Sequence, residues 1–177
     1  CQEALGLHGA ERFIAEIEDR NLFIIRFEDG WYRYHHLFQE YLQQRFRKKD
    51  PDRWEAFQRR AAGWFLAQGR FEEAVDHYMT AEAYDKAADV MQDAARKMFL
   101  AGHFRTLMRW GDNLPTPQME KSPRLALFQS RAADMLAQWD KALTLAAQAE
   151  EGYQIAEDKS GVAYAQLHRC EIWQKQG

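Results

Sequence analysis

One pattern recurs three times in this chain and constrains its fold more than any other feature. In each copy an aromatic residue follows a helix end and stands three positions before a small or apolar residue. The copies pair Phe71 with Ala74, Phe104 with Leu107 and Trp139 with Ala142. The aromatic residues are 33 and 35 positions apart, close to the period of about 34 residues in tetratricopeptide (TPR) repeats. Because a small residue lets two helices approach and an aromatic ring fills the gap to the next hairpin, the spacing predicts stacked helical hairpins.

The chain has only helical periodicity from about residue 50 onward. Asp50 can accept hydrogen bonds from the free amides of a first helical turn, and Pro51 loses none there, so we expect a helix to begin at this point. Ser122-Pro123 repeats this start after a proline-bearing stretch at 114–123 that breaks the pattern. The predicted helices cover residues 54–68, 71–80, 84–101, 104–112, 124–138, 139–156 and 161–176. An extra copy of the repeat pattern at 84–87 makes the early repeats irregular.

The first part of the chain has a different pattern. Apolar residues between Ala10 and Ile17 fall on one side of a helix of about three turns. Residues 22–27 are rich in β-formers, Asp29-Gly30 is a hairpin turn signal, and residues 31–34 can return as a second strand. An apolar stripe between residues 37 and 46 predicts the next helix. The order helix, two-stranded wing, helix is typical of a winged-helix module.

Composition excludes several classes of protein. The 24 basic and 27 acidic residues nearly balance, so general binding to polyanions is not indicated. No apolar run approaches the ~18 residues of a membrane span, and no signal-peptide pattern is present. Cys1 and Cys170 form neither a disulfide framework nor a zinc site, which indicates a reducing, cytoplasmic setting. Because the chain starts at Cys1 rather than Met, we expect it to be a piece of a larger protein.

The run Trp-Tyr-Arg-Tyr-His-His-Leu-Phe at residues 31–38 resembles the end of the winged-helix module in STAND signalling ATPases. The resemblance is to the large LuxR-family transcriptional regulators of the maltose-regulon activator type, in which this module lies between the nucleotide-binding domains and a sensor arm of TPR-like repeats. It implies that residues 1–49 are the C-terminal part of a winged helix and residues 50–177 the first repeats of the arm. The expected fold class is mainly α, a partial winged helix with a two-stranded β-wing followed by TPR-like α-α superhelical repeats.

The resemblance also implies a role for two adjacent histidines. STAND proteins commonly offer a winged-helix histidine to the β-phosphate of bound ADP in the resting state. His35 matches that histidine, and His36 stands where an aspartate follows it in the Met-His-Asp version of the motif, so either imidazole is a candidate. A ring N–H near a helix N-terminus can donate to a phosphate oxygen, where the helix dipole also favours negative charge. The alternative is that both are ordinary capping or half-buried polar residues.

Two further kinds of site are not favoured by the sequence. A basic cluster between Arg45 and Arg60 allows a nucleic-acid interpretation, but acidic residues interrupt it, and a solvated or docking face fits better. The chain contains no Gly-rich phosphate loop, its other histidines are scattered, and no serine or cysteine has the context of a nucleophile. The sequence therefore predicts neither an enzyme nor a metal site.

The function implied by the resemblance is signal sensing and autoinhibition in an ATP-dependent transcriptional activator. We expect no cofactor in the chain itself, with ATP or ADP bound elsewhere in the full-length protein. The expected partners are the protein's own nucleotide-binding domain and an effector or regulatory protein, with no membrane and with DNA contacted only through other domains. The alternative is a TPR-type interaction scaffold of a STAND protein with a non-transcriptional output. A LuxR-type helix-turn-helix in the full open reading frame would decide between them.

Overall fold

The computed structural model describes residues 9–20, 22–27 and 32–176. Within this part the chain is mainly helical, with one two-stranded antiparallel sheet near its start. The elements are α1 (Ala10–Asp19), β1 (Ile24–Arg26), β2 (Tyr32–Tyr34), α2 (His36–Lys49), α3 (Pro51–Ala67), α4 (Phe71–Thr80), α5 (Tyr84–Leu100), α6 (Phe104–Asn113), α7 (Thr116–Glu120), α8 (Pro123–Met135), α9 (Trp139–Ile155) and α10 (Lys159–Gln176). The predicted fold class is thereby confirmed.

The wing is shorter than the sequence pattern indicated. β1 and β2 pair antiparallel with Ile25 opposite Arg33, so only three residues of the run 22–27 are strand. The His35 amide donates to the Phe23 carbonyl at 2.7 Å, which ties the start of α2 to the first arm of the wing. The predicted Asp29-Gly30 turn and Trp31 lie outside the described residues.

Helix α2 leaves part of its apolar stripe open to solvent. None of its residues is buried, and Leu37 is 62% exposed. The Phe38 ring packs on Phe23 with 5.3 Å between ring centroids. Near the other end of the helix the Phe46 ring contacts the buried Trp54 edge-on at 5.6 Å, which joins α2 to α3. The apolar surface of the wing and α2 is therefore only partly covered within the described residues.

Five of the turns between helices of the second part are of one kind. In each turn one residue adopts a left-handed backbone, and the amide of the next residue donates to the carbonyl five positions earlier, as in a Schellman motif. Glycine takes the left-handed position at Gly69 and Gly102, with φ 71° and 77°. The other such turns place Glu82, Ala137 and Glu157 there, with φ between 52° and 56°. The closing bonds run from Arg70 to Phe65, Ala83 to Tyr78, His103 to Met98, Gln138 to Ala133 and Asp158 to Tyr153, at 2.8–3.0 Å.

The residues of the predicted repeat pattern lie at the contacts between helices. Ala74 and Ala142 are completely buried, as is Leu107. Phe71 and Phe104 are half-buried and pack against the core. Trp139 differs from the expectation, because it is 40% exposed and fills the space between hairpins only in part.

Three glycines, Gly111, Gly152 and Gly161, allow close contacts that the repeat pattern did not predict. A Cβ built on Gly111 in α6 would lie 2.5 Å from Cδ of Gln129, and one on Gly161 in α10 would lie 2.5 Å from Cγ of Tyr153. Gln129 is buried, and its Nε2 donates to the Leu107 carbonyl at 2.6 Å. The absence of a side chain at Gly111 thus opens the α6 backbone to an amide from α8.

The helix boundaries agree with the sequence in outline and differ in three details. Asp50 caps α3 as expected, accepting from the Arg53 amide at 3.1 Å. Ser122 does not cap α8, because its hydroxyl donates backward to the Gln118 carbonyl at 2.7 Å instead. The proline-bearing stretch contains the short helix α7, and α10 begins at Lys159 because Asp158 accepts from the Gly161 amide at 3.0 Å. No described helix is both long and apolar enough to cross a membrane.

Candidate functional site

The structure brings His35 and His36 together at the start of α2. Both side chains are exposed, and their ring centroids are 4.7 Å apart. His35 precedes the first helical residue, and its side chain makes no capping hydrogen bond. An accessible helix start with two imidazoles can receive an anionic group. The geometry leaves both histidines as candidates for that contact.

The basic cluster near the α2–α3 junction is partly neutralised by acidic neighbours. Arg47 reaches Glu82 at 3.2 Å, in the turn after α4. Arg59 pairs with Glu55 at 2.8 Å within α3. These pairs fit the solvated or docking face that the sequence favoured over a nucleic-acid site.

Ion pairs also connect successive hairpins of the repeats. Glu72 of α4 accepts from Nδ1 of His103 at 3.1 Å and from Arg109 of α6 at 3.4 Å. Lys141 of α9 donates to Asp112 of α6 at 2.9 Å. All of these side chains are substantially exposed, so each pair stabilises the stacking by no more than about 1 kcal/mol. We interpret them as structural contacts.

A cavity of about 580 Å³ lies between α5, α8, α9 and α10. Its volume falls in the range of roughly 300–1,000 Å³ that is usual for sites of small organic ligands. The lining side chains relevant to binding are Arg96, Arg124, Arg131, Phe128, Tyr153, Tyr164 and His168. The cavity therefore combines cationic, aromatic and buried polar groups in one place.

One wall of the cavity depends on Gly161. Because this residue has no side chain, α10 passes directly over the ring of Tyr153. Burial raises the pKa of the Tyr153 hydroxyl, and the nearby Asp158 raises it further while Arg124 opposes them. Tyr153 therefore contributes a neutral hydroxyl and an aromatic face to the cavity near neutral pH.

The three arginines of the cavity have no carboxylate partner within the part of the chain that the structure describes. The guanidinium carbon of Arg131 lies 4.9 Å from the ring centroid of Phe99 and 5.9 Å from that of Phe128. Aromatic faces hold a guanidinium in place without neutralising its charge. The cations at this cavity therefore remain available to an anion.

His168 is the buried polar residue of the cavity wall, at 5% exposure. Its Nδ1 lies 3.4 Å from a Glu171 carboxylate oxygen. Its Nε2 is buried without a hydrogen-bond partner among the described residues. A buried polar atom of this kind costs free energy unless a further group satisfies it.

Sequence reasoning missed this cavity, although one signal was available. Arg124, Leu127, Phe128 and Arg131 fall at i, i+3, i+4 and i+7, which places them on one side of α8. The tryptophans are divided between core and surface, since Trp54 and Trp110 are buried whereas Trp173 is 52% exposed. Within the described residues no group of side chains could hold a metal ion.

Comparisons with known proteins agree with the resemblance seen in the sequence. Residues 1–54 match the MalT winged helix domain family. The chain is 29% identical over 155 residues to the HTH-type transcriptional regulator MalT of Klebsiella pneumoniae, covering 86% of this chain and 17% of the relative. It is 30% identical over 129 residues to MalT of Vibrio cholerae, covering 70% and 14%.

A protein kinase is also similar to this chain. The chain is 31% identical over 124 residues to the serine/threonine-protein kinase PknK of Mycobacterium tuberculosis, covering 69% of this chain and 11% of the kinase. The chain thus spans between 11% and 17% of the length of these three relatives. No solved structure matched it. Residues 1–54 belong to the MalT winged helix domain family, and the chain as a whole is a MalT-like segment in which a winged helix is followed by helical hairpins.

Proposed function

We propose that this chain is the signal-sensing segment of an ATP-dependent transcription regulator of the STAND class. In this proposal the TPR-like hairpins bind an effector, and the winged-helix end contacts the regulator's own nucleotide-binding domain. The observation that carries the proposal is the cavity of about 580 Å³ between α5, α8, α9 and α10. A ligand there touches helices of successive hairpins, so its binding can favour one stacking arrangement over another.

The winged-helix end supplies the second half of the proposed mechanism. His35 or His36, exposed at the start of α2, donates to the β-phosphate of ADP held by the neighbouring domain and so stabilises the resting, autoinhibited state. An effector activates only if it binds the open arrangement more tightly than the closed one. ATP or ADP is the cofactor of the full-length protein, and the chain itself neither holds it nor catalyses a reaction. DNA is contacted by other domains of the regulator.

Blocking the cavity tests the sensing role. Ser160 is exposed and lines the cavity, so Ser160→Trp should fill it without disturbing the buried core. In the full-length protein this variant is expected to lose regulation, remaining either inactive or constitutively active in a reporter assay on its target promoter. Ser160→Ala is the matched control and should respond as the wild type does. Normal regulation by a folded Ser160→Trp protein would contradict the proposal.

The similarity to PknK favours a second candidate function. The relative is a serine/threonine-protein kinase, so a segment of this kind also occurs outside transcription regulators. In that case the same hairpins serve as a protein–protein interaction scaffold of a STAND protein with a non-transcriptional output. The full open reading frame distinguishes the two, since one predicts a helix-turn-helix output domain and the other does not.

A further inference from the structure

We infer that the cavity between α5, α8, α9 and α10 binds a small organic anion. Its carboxylate or phosphate group contacts Arg96, Arg124 and Arg131, and its apolar or aromatic part packs on Phe128 and Tyr164. This inference rests on the proposed function, because it assigns a ligand class to the proposed effector site.

The charge of the cavity is the first step. Arg124 and Arg131 are seven positions apart on α8, so they project from the same side of that helix, and Arg96 of α5 lines the same cavity. Elsewhere on the described surface arginines are often neutralised, as Arg59 is by Glu55 at 2.8 Å. The guanidinium group is planar and donates paired hydrogen bonds to carboxylates and phosphates. Three such groups without a carboxylate partner form a site for an anion.

The acidic residues of the cavity limit the charge that the ligand can carry. Asp158 accepts from the Gly161 amide at 3.0 Å, and Glu171 lies 3.4 Å from Nδ1 of His168. Both carboxylates therefore have partners already, but they still repel negative charge nearby. Three cations against two carboxylates suit a ligand with one anionic group better than a polyanion.

The apolar part of the cavity indicates that the ligand is more than an inorganic ion. Tyr164 and Leu167 of α10 and Phe128 of α8 line the same cavity as the arginines. Aromatic and aliphatic side chains beside a cationic group favour a ligand that has an apolar body and one charged end.

Three probes of similar size test this ligand class on the chain: 3-phenylpropionate, phenyl phosphate and the neutral 3-phenyl-1-propanol. Binding is followed by NMR shifts of backbone amides in α8 and α10. At least one of the two anions should bind ten times more tightly than the alcohol, and the pair distinguishes a carboxylate from a phosphate preference. The double variant Arg124→Gln/Arg131→Gln should weaken that binding at least tenfold. Arg105→Gln, which removes an exposed arginine of α6 outside the cavity, is the matched control and should leave it unchanged.

Equal affinity for the alcohol and the anions would overturn the inference, as would the absence of binding by all three probes. An equal loss in Arg105→Gln would also overturn it, because the attraction would then be non-specific. The proposed sensing function fails separately, through normal regulation by Ser160→Trp. Anion binding with the expected arginine dependence, together with normal regulation by Ser160→Trp, would sustain the ligand site and reject its role in sensing.

Discussion

A single methyl group at Gly111 should destabilise the repeats measurably. Gly111 lies in α6 opposite Gln129 of α8, and a Cβ built on it would lie 2.5 Å from Gln129 Cδ, a separation that real Cβ atoms essentially never show. The Gln129 side chain is buried, so its amide has to find another position within the core. Gly111→Ala must therefore displace this amide and break its 2.6 Å hydrogen bond to the Leu107 carbonyl.

Three contributions decide the size of the effect. Overpacking a core contact costs about 1–3 kcal/mol, and loss of a buried hydrogen bond costs a further ~1–3 kcal/mol. Alanine offsets about 1 kcal/mol of this through its higher helix propensity. The free energy of unfolding should therefore fall by roughly 1–5 kcal/mol. At about 2–4 °C per kcal/mol for a chain of this size, the Tm should fall by at least ~2 °C.

Thermal and urea unfolding followed by circular dichroism measure this change. Gly63→Ala is the matched control: Gly63 lies within α3, nothing stands within 4 Å of the position that the added methyl group would take, and the substitution should raise the stability by up to ~1 kcal/mol. The double variant Gly111→Ala/Gln129→Ala should lose less than the sum of the two single changes, because the smaller side chain removes the clash. A Gly111→Ala protein that melts at or above the wild-type Tm would refute the assigned contact.

Four further predictions address the repeats, the histidines and the nucleotide. Ala142→Leu should cost ~1–3 kcal/mol in thermal melts, because Ala142 is completely buried, whereas Leu at the exposed Ala147 of the same helix should cost almost nothing. Burial lowers the pKa of His77 below its ordinary 6.5, opposed by nearby carboxylates. An NMR titration of the His77 imidazole should show the lowered pKa. The stability that His77 contributes above pH 6.5 should be lost as the pH falls through its folded-state pKa. In the full-length protein His35→Ala should weaken ADP binding and raise basal activity. If His36→Ala has this effect instead, His36 rather than His35 contacts the β-phosphate. The isolated chain should show no ATP turnover in a phosphate-release assay.

Features that depend on neighbouring residues were predictable from the sequence. The α3 start at Asp50-Pro51 and the turns at Gly69 and Gly102 follow from local hydrogen bonding and backbone freedom, and the structure has them. The turns at Ala137 and Glu157 were less visible, because residues with a side chain take the left-handed position there. A left-handed residue of this type costs roughly 1–2 kcal/mol, and the packing of the flanking helices must offset it.

Features that depend on distant residues were not predictable in the same way. The cavity joins Arg96 to Tyr164 and His168, which are far apart in sequence, and no periodicity links them. The direction of the Ser122 hydroxyl is another example. Ser122-Pro123 has the pattern of a helix cap, but the Gln118 carbonyl of the preceding short helix takes the hydrogen bond instead.

The common turn geometry has a consequence for how this arm can change in length. Each of these five turns closes on its own carbonyl and amide groups, so it does not depend on which hairpin precedes or follows it. Excision of residues 70–102 would join Gly69 directly to His103-Phe104, and a left-handed glycine followed by a polar residue and an aromatic would stand at the junction as it does now. Whole hairpins are therefore units that can be gained or lost with the backbone signal for each bend intact. Adaptation of the arm to a longer or shorter partner then requires changes only in the side chains where the new neighbours meet.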